Sequence, residues 1–376
     1  MHLIDQQLNL MIRGRFDEGW KIAEELERIN PDDPRAKFNR GWFLINQGKF
    51  QEGFQCLEYG RSLSVYGSGK IDTTKPIWDG KQDLTDKIVI INMEAGYGDN
   101  FIYARFATEV WRRGGKCIIC GDRTVHSLFM RIPGVVECIT LDQVNSTYHD
   151  YWIPAFSCSW LFGHTADDMP NDPYLFARPE SVTLWKDLVK TDRKFKVGIR
   201  WSGNPKFEHQ QFRIFPPKML INLHKNNPHI QFYSLQRDND IIELPNDIRD
   251  LQHFMISWED TAACIENLDL VISSCTSIAH LSAAMGKPTW VIVPILPYHV
   301  WAYGGDHSPW YATTTRVFRQ KKFSQWDDTF EQIQTELDQL FDRPKADEPD
   351  TVPEPGTISE SESISPAVLD AESKVD

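Results

Sequence analysis

Twice along the chain a short unbroken apolar run ends in a turn that opens into a helical stretch, and no other feature constrains the fold as much. In the first unit Lys87-Ile88-Val89-Ile90-Ile91-Asn92-Met93 passes through Glu94-Ala95-Gly96-Tyr97-Gly98-Asp99 into a predicted helix over 100–113, followed by a strand over 116–120. The second unit restarts with a strand at 195–200, a helix near 218–225 and a strand at 231–235. It continues through a strand at 268–273, a helix at 278–285 and a strand at 289–294. Strands that are apolar throughout and joined by helices pair in parallel with both faces covered. The spacing therefore predicts an α/β protein with two parallel-sheet units in tandem. Ligands of such sheets bind beyond the carboxyl ends of the strands, and two facing units put the natural site in the cleft between them.

The N-terminal segment has a different grammar. Arg13-Gly14-Arg15-Phe16-Asp17-Glu18-Gly19-Trp20 aligns with Gln47-Gly48-Lys49-Phe50-Gln51-Glu52-Gly53-Phe54 at an offset of 34 residues, matching Gly, Phe, Glu and Gly. That offset and pattern resemble tetratricopeptide (TPR) repeats. The resemblance implies pairs of antiparallel helices, with Gly14 and Gly48 at tight turns and Gly19 and Gly53 where helices approach closely. Two visible units are fewer than a free-standing solenoid needs, so these helices are expected to dock on the following domain, as a structural cap or as a protein-binding groove. At the other end, 343–376 holds nine acids against three bases, is rich in Pro and Ser and has no aromatic residue, which predicts a disordered, solvated acidic tail. The expected domains are helical repeats over 1–66, a linker over 67–83, a first parallel-sheet domain over 84–193, and a second with a C-terminal helix over 194–342.

Composition excludes several function classes. Hydrophobic residues at 41% and aromatics at 12% are too many for a disordered or fibrous chain. A net charge of −13 gives no general attraction to nucleic acid or to anionic membranes. The longest apolar runs are strand-length, short of the roughly 20 residues that span a bilayer, and the first residues carry an early acid and no apolar signal core, so a cytoplasmic protein is expected. Seven scattered cysteines suit reduced core thiols. Cys117 and Cys120 form a CxxC, but on a strand residues three apart point to opposite faces and no second pair accompanies them, so they read as buried thiols and not as a metal or redox site.

The turns after the strands carry the candidate chemistry. Gly96-Tyr97-Gly98-Asp99 begins like a dinucleotide fingerprint, but Phe101 stands where the third glycine would be. Asp99 at the start of a helix would repel a phosphate from the backbone amides there, so it suits a general base facing a hydroxyl, or a helix cap. The turn Ser273-Ser274-Cys275-Thr276-Ser277 has no acid. Its amides and hydroxyls at the positive end of a helix dipole suit a diphosphate or a simple cap, and His280 shares the helical face of Thr276 and Ser277. Trp201-Ser202-Gly203-Asn204-Pro205 leads into a polar loop in which Arg213 can neutralise a leaving phosphate or sit solvated. Gln236 and Glu259, at further strand-to-helix junctions, suit ribose or base contacts, while Asp260 and Thr261 suit caps.

Taken in order, these residues resemble the heptosyltransferase-like glycosyltransferases, in particular proteins that join TPR repeats to such a domain. The similar elements are Gly96-Tyr97-Gly98-Asp99 with Phe101, Ala104 and Arg105; the run from Val197 to Pro205; Ser234-Leu235-Gln236; Asp260-Thr261-Ala262; the strand at 268–273 followed by Thr276-Ser277 and Ala279-His280-Leu281; and Ser308-Pro309-Trp310-Tyr311 with Phe318-Arg319-Gln320. The resemblance implies a GT-B architecture of two Rossmann-like domains that inverts the transferred sugar. Its nucleotide-sugar donor is a substrate, and it implies no metal and no cofactor. It further implies that Asp99 is the base on an acceptor hydroxyl beside Gly96 and Gly98, that Thr276, Ser277, His280 and Arg213 hold the departing diphosphate, and that Ser202, Asn204, Gln236, Glu259 and Cys275 line the donor site.

One position departs from the family pattern. Cys275 stands where an Asp usually contacts the donor sugar, and a thiol cannot accept the paired hydrogen bonds of a carboxylate. The expectation is a glycosyltransferase acting on a glycan or protein acceptor, with a protein partner for the helical repeats. The alternatives are a TPR interaction protein that binds a partner or nucleotide without turnover, and an epimerase or hydrolase of nucleotide-sugars on the same fold.

Overall fold

A computed structural model describes residues 3–67, 71–190, 194–203, 210–237, 242–311 and 313–342. The acidic tail and Asn204 lie outside the described residues. Those up to Gln334 form one compact unit; from Thr335 the chain belongs to a second, whose described part is the end of the last helix.

Four helices open the chain: α1 (Leu3–Ile12), α2 (Phe16–Ile29), α3 (Pro34–Asn46) and α4 (Phe50–Leu57). Gly14 and Gly48 turn α1 into α2 and α3 into α4 with φ of 72° and 79°, the left-handed region that favours glycine. Asp33 caps α3 by accepting from the Arg35 N–H at 2.9 Å, with Pro34 at the first helical position. A Cβ on Gly53 would lie 2.6 Å from Ile45 Cγ1 and 3.0 Å from the Gly41 carbonyl, so glycine is what lets α4 lie against α3.

The first sheet follows: β1 (Ile88–Asn92), α5 (Tyr97–Tyr103), α6 (Phe106–Arg112), β2 (Lys116–Cys120), α7 (Arg123–Phe129), β3 (Val135–Ile139), β4 (Tyr151–Pro154), α8 (Cys158–Leu161) and α9 (Pro179–Leu188). Its strands are parallel in the order β3-β2-β1-β4. The second comprises β5 (Phe195–Arg200), α10 (Gln210–Arg213), α11 (Pro217–Ile221), α12 (Leu223–Asn226), β6 (Ile230–Ser234), β7 (Arg249–Asp250), α13 (Trp258–Glu266), β8 (Leu270–Ser274), α14 (Ser277–Ala284), β9 (Thr289–Val293), β10 (Thr315–Arg319) and α15 (Asp327–Asp342). Its order β10-β9-β8-β5-β6-β7 is parallel throughout, the doubly wound order that reverses beside its first strand. Two Rossmann-like sheets preceded by helices are the expected fold class.

Strands β3, β4, β7 and β10 were not legible in advance; β3, for example, is half exposed and interrupted by charge. The helix expected over 100–113 is broken at Ala104–Arg105. There the buried Arg105 guanidinium donates to the carbonyls of Ile102 (2.9 Å), Pro170 (2.6 Å) and Trp310 (2.7 Å) and lies over the rings of Tyr174, Trp310 and Tyr311. Its bond to a carbonyl in the last turn of α5 takes an acceptor from the helix.

One apolar cluster runs from Phe50, Phe54 and Leu57 through Val89, Ile91 and Phe101 to Val271, Ile278 and Val291, so the helical segment and both sheets share a core. Cys117 belongs to this cluster and Cys120 to a separate one on the opposite face of the first sheet, and all seven cysteines are free. The helical segment is also tied by polar groups. Arg61 bonds Glu58 at 2.8 Å, Ser157 at 3.0 Å and the buried Glu94, while Trp42 donates to the Pro297 carbonyl at 2.8 Å and Asn46 to that of Ala302 at 2.7 Å.

Candidate active site

The second sheet reverses its winding between β5 and β8, and the carboxyl ends of the strands at such a reversal are where sheets of this kind bind ligands. Gly203 follows β5, and a Cβ there would meet Thr276 Cγ2 at 2.9 Å and Arg213 Nη2 at 3.0 Å. Glycine thus brings the β5 turn, the β8 turn and Arg213 together. The guanidinium donates to the Cys275 carbonyl at 3.1 Å. Burial lowers the Arg213 pKa, and Cys275 and Asp99 act in the opposite sense.

The first sheet contributes the start of α5. Ala95 is left-handed at φ 56°, held by its N–H donating to the Tyr66 carbonyl at 3.1 Å, and Gly96 follows as the helix cap. Asp99 is the third residue of the helix, and its Oδ2 accepts from the Gly96 N–H at 3.1 Å. Its other oxygen accepts from the Tyr298 hydroxyl. Asp99 is half-buried in the seam between the sheets. Burial raises its pKa, while Tyr298, the Gly96 N–H and Arg213 pull the other way. Of the two uses open for Asp99, the helix cap is made by Oδ2, and the other oxygen is turned to Tyr298.

The seam itself is closed by Gly98. A Cβ there would be 3.3 Å from His280 Cδ2 and 3.6 Å from Ser277 Cα, so the first turns of α5 and α14 touch through a glycine. Thr276 caps α14 with extended backbone and makes no side-chain cap bond. Of the hydroxyls in this turn, Ser273 is turned inward, donating to the Ser274 carbonyl at 2.8 Å, and that of Ser274 is buried with no partner among the described residues. Ser277 is half-buried at the seam. His280 is buried, stacks on Trp301 with ring centres 5.1 Å apart, and lies 3.4 Å from the Tyr311 hydroxyl through Nδ1. Burial, with Arg105, His299 and Arg213 adding to it, pushes its pKa down to about 3, so it is a neutral ring at the seam and adds no positive charge. The Cys275 thiol is pushed up to about 11 by burial, against the pull of Arg213, and is neutral too.

The structure thus brings together Gly96, Gly98, Asp99, Arg213, Cys275, Thr276, Ser277 and His280. Ser202 and the buried Gln236 pair with each other, through the Gln236 amide to the Ser202 hydroxyl at 2.9 Å and the Ser202 N–H to the Gln236 carbonyl oxygen at 3.3 Å. Glu259 is placed differently. Its carboxylate accepts from Arg131 at 2.7 and 2.9 Å, Ser127 at 2.9 Å and the Arg178 N–H at 2.6 Å, which ties α13 to α7 and to the chain before α9. Asp260 completes a capping box with Ser257.

Tyr298 was missed by sequence reasoning. Its signal was position, in the turn after the parallel strand β9, where ligand-facing groups collect. Trp258, at the start of α13, packs on Tyr97 and Phe101 beneath Arg237, with Tyr97 5.0 Å away between ring centres.

No family model and no curated protein matches this sequence. Among solved structures it is similar to a glycosyl transferase family 9 protein from Veillonella parvula, at 11% identity and a TM-score of 0.49 over 69% of this chain and 91% of that one. It is similar to E. coli ADP-heptose LPS heptosyltransferase II at 14% identity and 0.48, over 68% and 98%. A third is E. coli heptosyltransferase WaaC with ADP, at 11% and 0.44, over 67% and 99%. Likeness at this level carries nothing about chemistry, which rests on the residues of the seam.

Proposed function

We propose that the protein is an inverting, metal-independent glycosyltransferase that moves a sugar from a nucleotide diphosphate donor to an acceptor hydroxyl of a glycan or protein. The observation that supports this reading is the contact of α5 with α14 through Gly98, which sets a carboxylate from one sheet beside an acid-free helix N-terminus and a cation from the other.

Asp99 takes the proton of the acceptor hydroxyl as its oxygen attacks the anomeric carbon. The bond from that carbon to the diphosphate oxygen breaks on the opposite face, and its electron pair leaves with the diphosphate. The Ser277 amide at the start of α14 and the Arg213 guanidinium meet the charge that develops there, while the Thr276 N–H is spent on the Ser274 carbonyl at 2.7 Å. His280 supports the turn as a neutral stacked ring. A second reading, a binding module without turnover, draws on Cys275, whose neutral thiol offers donor hydroxyls little.

The test is titration of the protein with ADP, UDP and GDP and their sugars, followed by transfer assays with the donor that binds. Arg213→Gln is expected to weaken the diphosphate about tenfold. Asp99→Asn is expected to keep binding and to lower transfer more than roughly a hundredfold. Unchanged transfer in Asp99→Asn removes the base; no nucleotide binding by folded protein leaves the binding-module reading.

A further inference from the structure

Asp99 reaches the seam from a turn that does not hold its shape on local grounds alone. Ala95 keeps a left-handed φ of 56°, which only glycine adopts without cost, so contacts from around the turn must fix it. Some are made nearby: Asn100 donates to the carbonyls of Glu94 and Gly96, each at 2.9 Å, and the Gly96 N–H donates to Asp99 at 3.1 Å.

The others come from the helical segment. Glu58–Arg61 is a short helical turn directly after α4, and from it the Arg61 guanidinium donates to both oxygens of the Glu94 carboxylate. Glu94 is 6% exposed and accepts from the Phe156 N–H as well, at 3.1 Å. A two-pronged bond to a buried carboxylate fixes its orientation as well as its position. Further along, the Tyr66 carbonyl accepts the Ala95 N–H at 3.1 Å, while the Tyr66 ring stacks on Phe156 with centres 4.0 Å apart, against the Arg61 guanidinium. The two residues that set the course of the turn, Glu94 and Ala95, are therefore both held by the helical segment. The same segment reaches the partner of Asp99 on the second sheet, since Trp42 and Asn46 hold carbonyls on either side of Tyr298.

We propose that the helical segment is part of the active site and that Arg61 is a positioning residue for Asp99, acting through Glu94 and the left-handed Ala95. The catalytic part of this inference rests on the reading of Asp99 as the base of a glycosyltransferase; the clamp on the turn does not.

Amide hydrogen exchange followed by NMR reads the clamp, and transfer assays read its consequence. In Arg61→Met the Gly96 amide is expected to exchange about tenfold faster. There kcat is expected to fall about tenfold with the donor KM unchanged, because the donor-side turns of the second sheet are not touched. Adding Ala95→Gly is expected to bring both back towards the parent, since glycine takes the left-handed conformation without a clamp. A loss of packing or of overall stability would not be repaired by that change. Arg61→Met with Glu94→Gln removes the buried carboxylate together with its partner, is expected to show the same two effects, and serves if Arg61→Met alone does not fold, as judged by circular dichroism. The proposal is overturned if the Gly96 amide of a folded Arg61 variant keeps the parental exchange rate, if kcat holds while that amide exchanges faster, or if Ala95→Gly restores neither. Faster exchange and its rescue, in a protein whose parent transfers no sugar from any donor, would instead overturn the glycosyltransferase reading and with it the catalytic part of the proposal.

Discussion

Asp99 answers to two donors that pull in one direction. The Gly96 N–H and the Tyr298 hydroxyl each stabilise its ionised form, while burial favours the neutral one. In the proposed role of base Asp99 must be ionised, so kcat/KM is expected to fall as pH drops through its pKa. Removing the Tyr298 hydroxyl removes a donor that lowers that pKa. Tyr298→Phe is therefore expected to move the acid limb of the pH–rate profile to higher pH, and an unmoved limb would show that Tyr298 does not act on ionised Asp99. Asp99 itself was legible because an acid at a glycine turn before a helix is a local pattern. Tyr298 was not, because its partner is 199 residues away and no spacing rule links them.

Between elements, the decisive contact is α5 against α14. Glycine at 98 was visible in the sequence as part of an incomplete fingerprint, but its use is steric: it removes the side chain that would hold two helix starts apart. Gly98→Ala brings a methyl to 3.3 Å from His280 Cδ2 and requires a shift of a few tenths of an ångström. The proposed transfer would depend on such distances more steeply than folding does. Turnover is expected to fall about tenfold, with a melting temperature close to that of the parent; a variant with full turnover would show that the seam tolerates wider spacing. The helices before the sheets act at this scale too. Trp42 and Asn46 hold the carbonyls of Pro297 and Ala302, which flank the turn bearing Tyr298, so α3 braces the loop that reaches Asp99.

Across the whole molecule, the shared core buries two histidines that ordinary sequence reading would leave titratable. His280 and His299 are both pushed down to about 3, His299 by burial alone, with its Nε2 2.9 Å from the Tyr103 hydroxyl. In the unfolded chain each takes up a proton near pH 6.5. Their contribution to stability is therefore fully present above that value and is lost as pH falls towards 3, at no more than about 1.4 kcal/mol per pH unit for each ring. The raised carboxyls of Asp99 and Glu94 work in the opposite sense. Unfolding free energy is expected to fall between pH 7 and 5, while NMR shows both imidazoles neutral in the folded protein throughout; a protonated ring in that window would contradict their burial.

The sequence by itself determined the apolar strands β1, β2, β5, β6, β8 and β9 and the turns that follow them. Apolar runs, glycines at left-handed turns and caps are governed by neighbours a few residues apart, so the tandem parallel sheets and the 34-residue glycine register could be read directly. Tertiary structure alone decided which turns meet. The Tyr298 bond to Asp99, the break at Arg105, the neutral state of His280 and the engagement of Glu259 by Arg131 all depend on which surfaces the shared core brings into contact. That choice is made by burial summed over the whole chain, and no local pattern encodes it.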